Sequence, residues 1–267
     1  MLKKVIFAIL CFLFFRADAQ VTADTTNKHV VDTLKRTPVA VPDTIKKLHH
    51  NSALSFIVPG VLIAYGASSF VIHPVRQVDY YFNDQIQKSD PHFHTNAETY
   101  FLFTPFAVVG VLDIAGVPGK NTPINQLGLV TLSGGFFGVT DLITKNLTHR
   151  LRPNGADYLS FPSGHTGLAF VGAQFLTEEY GDQSPVYTVI GYTTAVATGI
   201  FRMYNRDHWF SDVVAGAGLG ILSTKAAYLV YPYLRNALTH KDKKGRSTML
   251  MPTYQNGAAG LSFAMQL

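Results

Sequence analysis

Three short stretches of this 267-residue chain bring together residue types able to grip an anion and move a proton. The first is Lys145, followed seven positions later by Arg152-Pro153. An ammonium is a point charge and a guanidinium a planar fork, so the pair matches the oxygens of a single phosphate-like anion. Basic residues closing a helix also sit well on its dipole or against lipid, so this pair alone reads either way. The second stretch is Pro162-Ser163-Gly164-His165, directly ahead of an apolar run. Proline suits a helix entry, Ser163 can cap or donate, and Gly164 lets a ligand come close to backbone N–H groups that favour an anion. His165 beside that nest could protonate a leaving oxygen. A plain helix start with an exposed histidine is the alternative. The third stretch is Arg202, His208 and Asp212. If a helix starts near His208, the i, i+4 spacing puts Asp212 within reach of its imidazole, fixing one ring nitrogen and leaving the other free to attack. By itself a His-x3-Asp pair is commonplace and usually structural.

Together, Lys-x6-Arg-Pro, Pro-Ser-Gly-His and Arg-x5-His-x3-Asp resemble, in order and spacing, the three motifs of the type 2 phosphatidic acid phosphatase superfamily, which also includes bacterial class A acid phosphatases and vanadium haloperoxidases. Ten fixed positions agree, and the likeness covers roughly Ala53 to Leu234. One departure is Phe201, where the family often has serine, so one polar contact to phosphate is lost. The resemblance implies that Lys145, Arg152 and Arg202 bind the phosphoryl oxygens, with Ser163 and the backbone N–H of Gly164 completing the cradle. It implies that His208 attacks phosphorus to form a phosphohistidine, that Asp212 holds the His208 ring, and that His165 protonates the leaving alcohol before water hydrolyses the intermediate. Three fixed cations neutralise the equatorial oxygens in such a scheme, and neither a metal nor another cofactor is expected.

The implied function is that of a cell-envelope phosphatase acting on a phosphate monoester or diphosphate, foremost of a lipid. Prenyl diphosphates, lipid A phosphate, phosphatidate, phosphatidylglycerol phosphate and soluble esters are all admitted. A vanadate-dependent haloperoxidase is one alternative, since vanadate fits the same cradle, although the short chain and membrane-like segments count against it. A noncatalytic protein binding anionic lipid is another, opposed by the intact His165, His208 and Asp212.

The elements that must position these residues are apolar runs divided by polar loops. Ala53 to Ile72 carries no charge over a length able to cross a bilayer. Thr99 to Leu112, Asn121 to Thr140, His165 to Thr177, Gln183 to Phe201 and Val213 to Leu234 complete a set of six candidate helices, so an all-α six-helix bundle over residues 52–235 is expected. Glu178-Glu179 and Lys225 are costly in hydrocarbon. If all six runs crossed after a cleaved signal, the loops with the chemistry would face the cytoplasm and the basic stretch after the last run would face outside, against the positive-inside tendency. Some helices are therefore expected not to span, with the bundle touching the membrane from the periplasmic side.

The ends of the chain read differently. Residues 1–19 begin with Lys3 and Lys4, run apolar from Val5 to Phe15 and reach Ala17-Asp18-Ala19, the pattern of a secretory signal peptide. Residues 20–51 lack a periodic apolar face and read as a flexible tail. Residues 236–267 combine a basic linker with Gln255-Asn256-Gly257 between two apolar runs, the signal of a β-hairpin. The chain is 47% apolar and 15% charged, which excludes a disordered or low-complexity chain. Its net charge of +5 is concentrated between Arg235 and Arg246, directly after an apolar run and without aromatic interleaving. That placement suits anionic lipid better than nucleic acid. The single cysteine, Cys11, excludes a disulfide framework and thiol redox chemistry. His92 and His94 lack evident partners for a metal, and Trp209 suits a bilayer boundary or pocket rim. Asp141 and His149 flank the first basic pair as supporting residues.

Overall fold

The computed structural model describes the backbone of residues 54–241, 247–255 and 258–265 and side chains over residues 55–236. The expected signal peptide, the flexible tail with His49-His50, and residues 242–246 of the basic linker lie outside the described residues.

A 3-10 turn, Leu54–Phe56, leads into α1 (Ile57–Ser68), followed by α2 (His73–Ser89), α3 (Ala97–Ile114), α4 (Pro123–Thr148), α5 (Gly164–Tyr180), α6 (Pro185–Tyr204) and α7 (Phe210–Leu238). The described residues thus hold seven α-helices, which corrects the expected six. The additional one is α2, whose amphipathic sequence a search for apolar runs passes over. Its buried residues are Asp79 and Ile86, two turns apart on one face, while His73, Gln77, Asp84 and Lys88 are exposed. Pro74 at its first turn favours the start, and the chain bends by 87° between α1 and α2.

The centre of the bundle is α5, in which Thr166, Gly167 and Ala169 through Leu176 are all buried. Phe170 and Ala173 pack with Leu102 of α3, Ala195 of α6 and Ile221 of α7, and Phe175, Leu176 and Tyr180 pack with Val109 and Leu129. Glycines let α7 approach α5 at backbone contact. A Cβ on Gly216 would lie 2.6 Å from the Ser163 carbonyl oxygen, and one on Gly220 would lie 2.2 Å from that of Gly167. Such a small-residue face is how closely packed helices of apolar bundles meet. It brings the start of α5 against the start of α7, which the chemistry requires.

Among the described residues, three helices are long and apolar enough to cross a membrane: Ala97–Ile114, Pro123–Thr148 and Phe210–Asn236, or four spans if the bent α1–α2 pair counts as one. Their outward residues fit that setting, with Phe103, Val111, Ile114, Leu127, Leu142, Leu147 and Tyr233 all exposed. Lys225, in the last of them, faces Glu178 at 3.6 Å, and Glu179 accepts from the Asn121 backbone N–H at 2.8 Å, from its amide at 2.7 Å and from the Tyr228 hydroxyl. Partners at one end of the bundle therefore answer the charges that look costly in sequence.

After α7 the backbone forms an antiparallel sheet in the order β1 (Thr239–Lys241), β2 (Ser247–Gln255), β3 (Ala258–Met265), with Thr248 opposite Met265 and Gln255 opposite Ala258.

Candidate active site

The polar residues gather where α4 and α6 end and α3, α5 and α7 begin. Lys145 lies in the last turn of α4, and its ammonium is held by both oxygens of Asp141 at 2.6 and 2.7 Å, one helical turn earlier. A Cβ on Gly164 would meet that ammonium at 3.0 Å, so the first basic residue sits directly over the entry of α5. Helix geometry leaves the N–H groups of that first turn without intrahelical acceptors, the first bond of the turn being Gly167 N–H to the Ser163 carbonyl at 2.9 Å. A cation and a set of backbone donors therefore face the same point.

Arg152 and Arg202 converge on the residue preceding His208. Arg152 donates from Nη1 to the Asp207 carbonyl at 3.3 Å and from Nε to Asp157 at 2.7 Å. Arg202, buried in the last turn of α6, meets the Asp207 carboxylate at 2.9 Å and buried Glu98, at the start of α3, at 3.4 Å. Its Nε is buried without a partner among the described residues, as is Glu98 Oε2. Each of the three cations thus has a carboxylate partner that fixes its direction, and Arg202 keeps a donor that an oxyanion would satisfy.

His208 is buried in the short segment between α6 and α7, and its Nδ1 lies 2.7 Å from the Ser160 carbonyl oxygen. A carbonyl only accepts, so Nδ1 carries the proton and the neutral ring keeps its lone pair on Nε2. Burial is the largest influence holding the His208 pKa well below 6.5, with the charges of Arg202 and Arg152 acting the same way. The ring is therefore neutral at pH 7, the form that can act as a nucleophile. His165, the second residue of α5, reaches solvent, yet its pKa is also lowered, first by desolvation and then by Arg202, against the pull of Glu98 and Asp207.

Two expected contacts take another form. Asp212 does not bond the His208 ring: its Oδ2 is 3.9 Å from Nδ1. Because α7 begins at Phe210, His208 precedes the helix, and the assumed i, i+4 geometry does not apply. Asp212 is instead fully buried, accepting from Ser160 Oγ at 2.5 Å, Trp209 N–H at 2.9 Å and Arg150 Nη1 at 2.6 Å. Ser163 is also fully buried, with its hydroxyl 2.8 Å from that of Thr166, so the cradle is offered by the Gly164 turn more than by the Ser163 side chain. Phe201 lies in an aromatic group with Phe93 and Phe101, ring centroids 6.3 and 5.6 Å away. Trp209 donates from its indole to the Leu151 carbonyl at 2.8 Å.

Sequence reasoning missed Asp79, Glu98, Arg150, Asp157, Ser160 and Asp207. Arg150 stood in plain sight two positions before Arg152, but only the fold shows that the two point to different partners.

Residues 124–236 match the family model described as the PAP2 superfamily. Among curated proteins, an 81-residue stretch is 51% identical to "Lipid A 1-phosphatase" of Porphyromonas gingivalis, covering 30% of this chain and 18% of that protein. A 125-residue stretch is 30% identical to "Probable lipid phosphate phosphatase 4" of Arabidopsis thaliana, covering 39% of this chain and 41% of that protein. The chain thus spans less than half the length of either relative. Among solved structures, Aquifex aeolicus LpxE gives a TM-score of 0.42 at 19% identity over 55% of this chain and 93% of that one. A PAP2-type phosphatidylglycerolphosphate phosphatase from Bacillus subtilis gives 0.47 at 19% identity over 69% and 98%.

Proposed function

We propose, from the match of residues 124–236 to the PAP2 superfamily, that this protein is a membrane-associated phosphatase of the cell envelope that hydrolyses a lipid phosphate monoester or diphosphate through a phosphohistidine. The observation that carries the reading is the pairing of a neutral, buried imidazole with its Nε2 lone pair available and three cations brought to one bundle end. Lys145, Arg152, Arg202 and the first-turn N–H groups at Gly164 bind the phosphoryl oxygens. His208 Nε2 attacks phosphorus in line as the bond to the leaving oxygen breaks, and His165 gives that oxygen a proton. Water then attacks phosphorus, His165 takes its proton, and the phosphorus–nitrogen bond breaks to return the electron pair to Nε2. Inorganic phosphate leaves. The three cations supply the charge stabilisation, so the scheme runs without a metal.

His165 must be protonated to act as the acid, although desolvation first, and the Arg202 charge after it, disfavour that form in the free protein. A bound phosphate dianion supplies the opposing charge, which couples substrate binding to the readiness of the acid.

The Porphyromonas gingivalis relative's name puts lipid A 1-phosphate first among the substrates to test. Phosphate release from lipid A phosphate, phosphatidate, phosphatidylglycerol phosphate, a prenyl diphosphate and a soluble ester, each with and without detergent, is the deciding experiment. Turnover of one or more lipid phosphates, faster than the soluble ester, is expected. Saturable binding without release, or halide oxidation that needs added vanadate, would overturn the reading.

A pH dependence follows from His208. Its lowered pKa means that the neutral, attacking form persists as pH falls through 6.5, so the acid limb of kcat/KM belonging to this group is expected below pH 6.5. A limb centred at 6.5 or above would contradict a buried, cation-flanked nucleophile.

A further inference from the structure

On the same reading of His208 as the nucleophile, we propose that Asp79 and Arg150 are positioning residues, which hold the His208 imidazole in its attacking tautomer through Asp212 and Ser160. Arg150 falls at an unfixed position of the first motif, and Asp79 and Ser160 lie outside all three. Arg150 bridges two fully buried carboxylates with the two arms of its fork, Nη2 to Asp79 at 2.6 Å and Nη1 to Asp212 at 2.6 Å. Asp79 is fixed in turn by the Ser211 N–H at 2.8 Å and the Ser211 hydroxyl at 2.7 Å, so α2 is tied to the start of α7. The guanidinium also lies 5.3 Å from the Phe70 ring centroid and 5.7 Å from that of Trp209, which shield it from water.

From this clamp two routes reach Ser160. Asp212 Oδ2 accepts from the Ser160 hydroxyl at 2.5 Å, and the Arg150 carbonyl accepts from the Ser160 N–H at 3.0 Å. Ser160 is fully buried, and its own carbonyl is the acceptor for His208 Nδ1. The direction of that carbonyl decides which ring nitrogen keeps the proton. Turning it away lets the proton settle on Nε2, where the lone pair needed for attack is lost. A planar fork is required at position 150, because a lysine's point charge cannot serve two carboxylates on opposite sides in this geometry.

The test uses the full chain in detergent with two variants, Asp79→Asn and Ser160→Ala. Asp79→Asn removes an acceptor of the clamp, and Ser160→Ala cuts the link to Asp212 while keeping the carbonyl and adding no bulk. Histidine side-chain nitrogen NMR reads the His208 tautomer, and steady-state turnover separates kcat from KM. For each variant kcat is expected to fall about 30- to 100-fold with KM within about threefold, and the Nδ1–H form is expected to give way to a mixture of tautomers. If Asp79→Asn does not fold, Ser160→Ala decides. A folded Asp79→Asn or Ser160→Ala protein with unchanged kcat and an intact Nδ1–H tautomer overturns the proposal. The tautomer is read without turnover. A wild-type protein that forms no phosphohistidine would therefore sink the catalytic reading while leaving this arm to judge the network.

Discussion

Replacing His208 by alanine is expected to lower phosphate release by about 10⁴-fold or more, because the step that splits the reaction in two loses its nucleophile. The fold should survive. His208 makes one described hydrogen bond, to the Ser160 carbonyl, and losing its partner costs about 1–3 kcal/mol against a bundle closed by α5 and its neighbours. Substrate should still bind, since Lys145, Arg152 and Arg202 are anchored by Asp141, Asp157, Asp207 and Glu98 rather than by the imidazole. The expected signature is therefore a collapse of kcat with binding retained, checked by phosphate release beside equilibrium binding of the lipid substrate. Comparable turnover in His208→Ala would remove the mechanism.

Arg202→Lys is the second large effect. Lysine keeps a positive charge for Glu98 and Asp207 and so avoids leaving the buried Glu98 carboxylate unpaired, but it lacks the fork and the Nε donor that Arg202 holds in reserve. Contacts to developing charge on phosphoryl oxygens are worth several kcal/mol in a water-poor site, so kcat/KM is expected to fall about 10²- to 10³-fold while the thermal midpoint stays near that of the wild type. Steady-state assays of the purified variant together with a thermal unfolding scan check both halves. Near-normal kcat/KM would assign phosphate binding to Lys145 and Arg152 alone. Loss of folding instead would give Arg202 a structural role through Glu98.

The sequence revealed the components of this site and left their wiring hidden, for physical reasons. Lys145, Gly164, Arg202 and His208 sit at the borders of apolar runs, and borders are legible because periodic burial stops there. The borders of α4 and α5 do meet, as the ammonium of Lys145 over Gly164 shows. The partner of His208 was not legible. Its assignment to Asp212 assumed a helix beginning at His208, whereas α7 starts two residues later and the loop carrying Ser160 supplies the acceptor instead. Such a contact spans 48 positions in the chain, and no local spacing encodes it.

The missing helix teaches the same lesson. His73–Ser89 has too many polar residues to register as an apolar run, and its one buried carboxylate, Asp79, looks in sequence like any solvated acid. Only the arrival of Arg150 from 71 positions away explains why a charge lies on the inward face. Similarly, the carboxylates flanking each cation could be counted in the sequence but not paired, since Glu98 and Arg202 are 104 positions apart.

The covalent step is the most direct place to test the account. A rapid-quench experiment with a lipid substrate labelled on its phosphorus, followed by peptide mapping, is expected to find acid-labile, base-stable label on the peptide containing His208 within a single turnover. The His208→Ala protein should show none. Full single-turnover product formation with no label on the protein, or label on another residue, would contradict it.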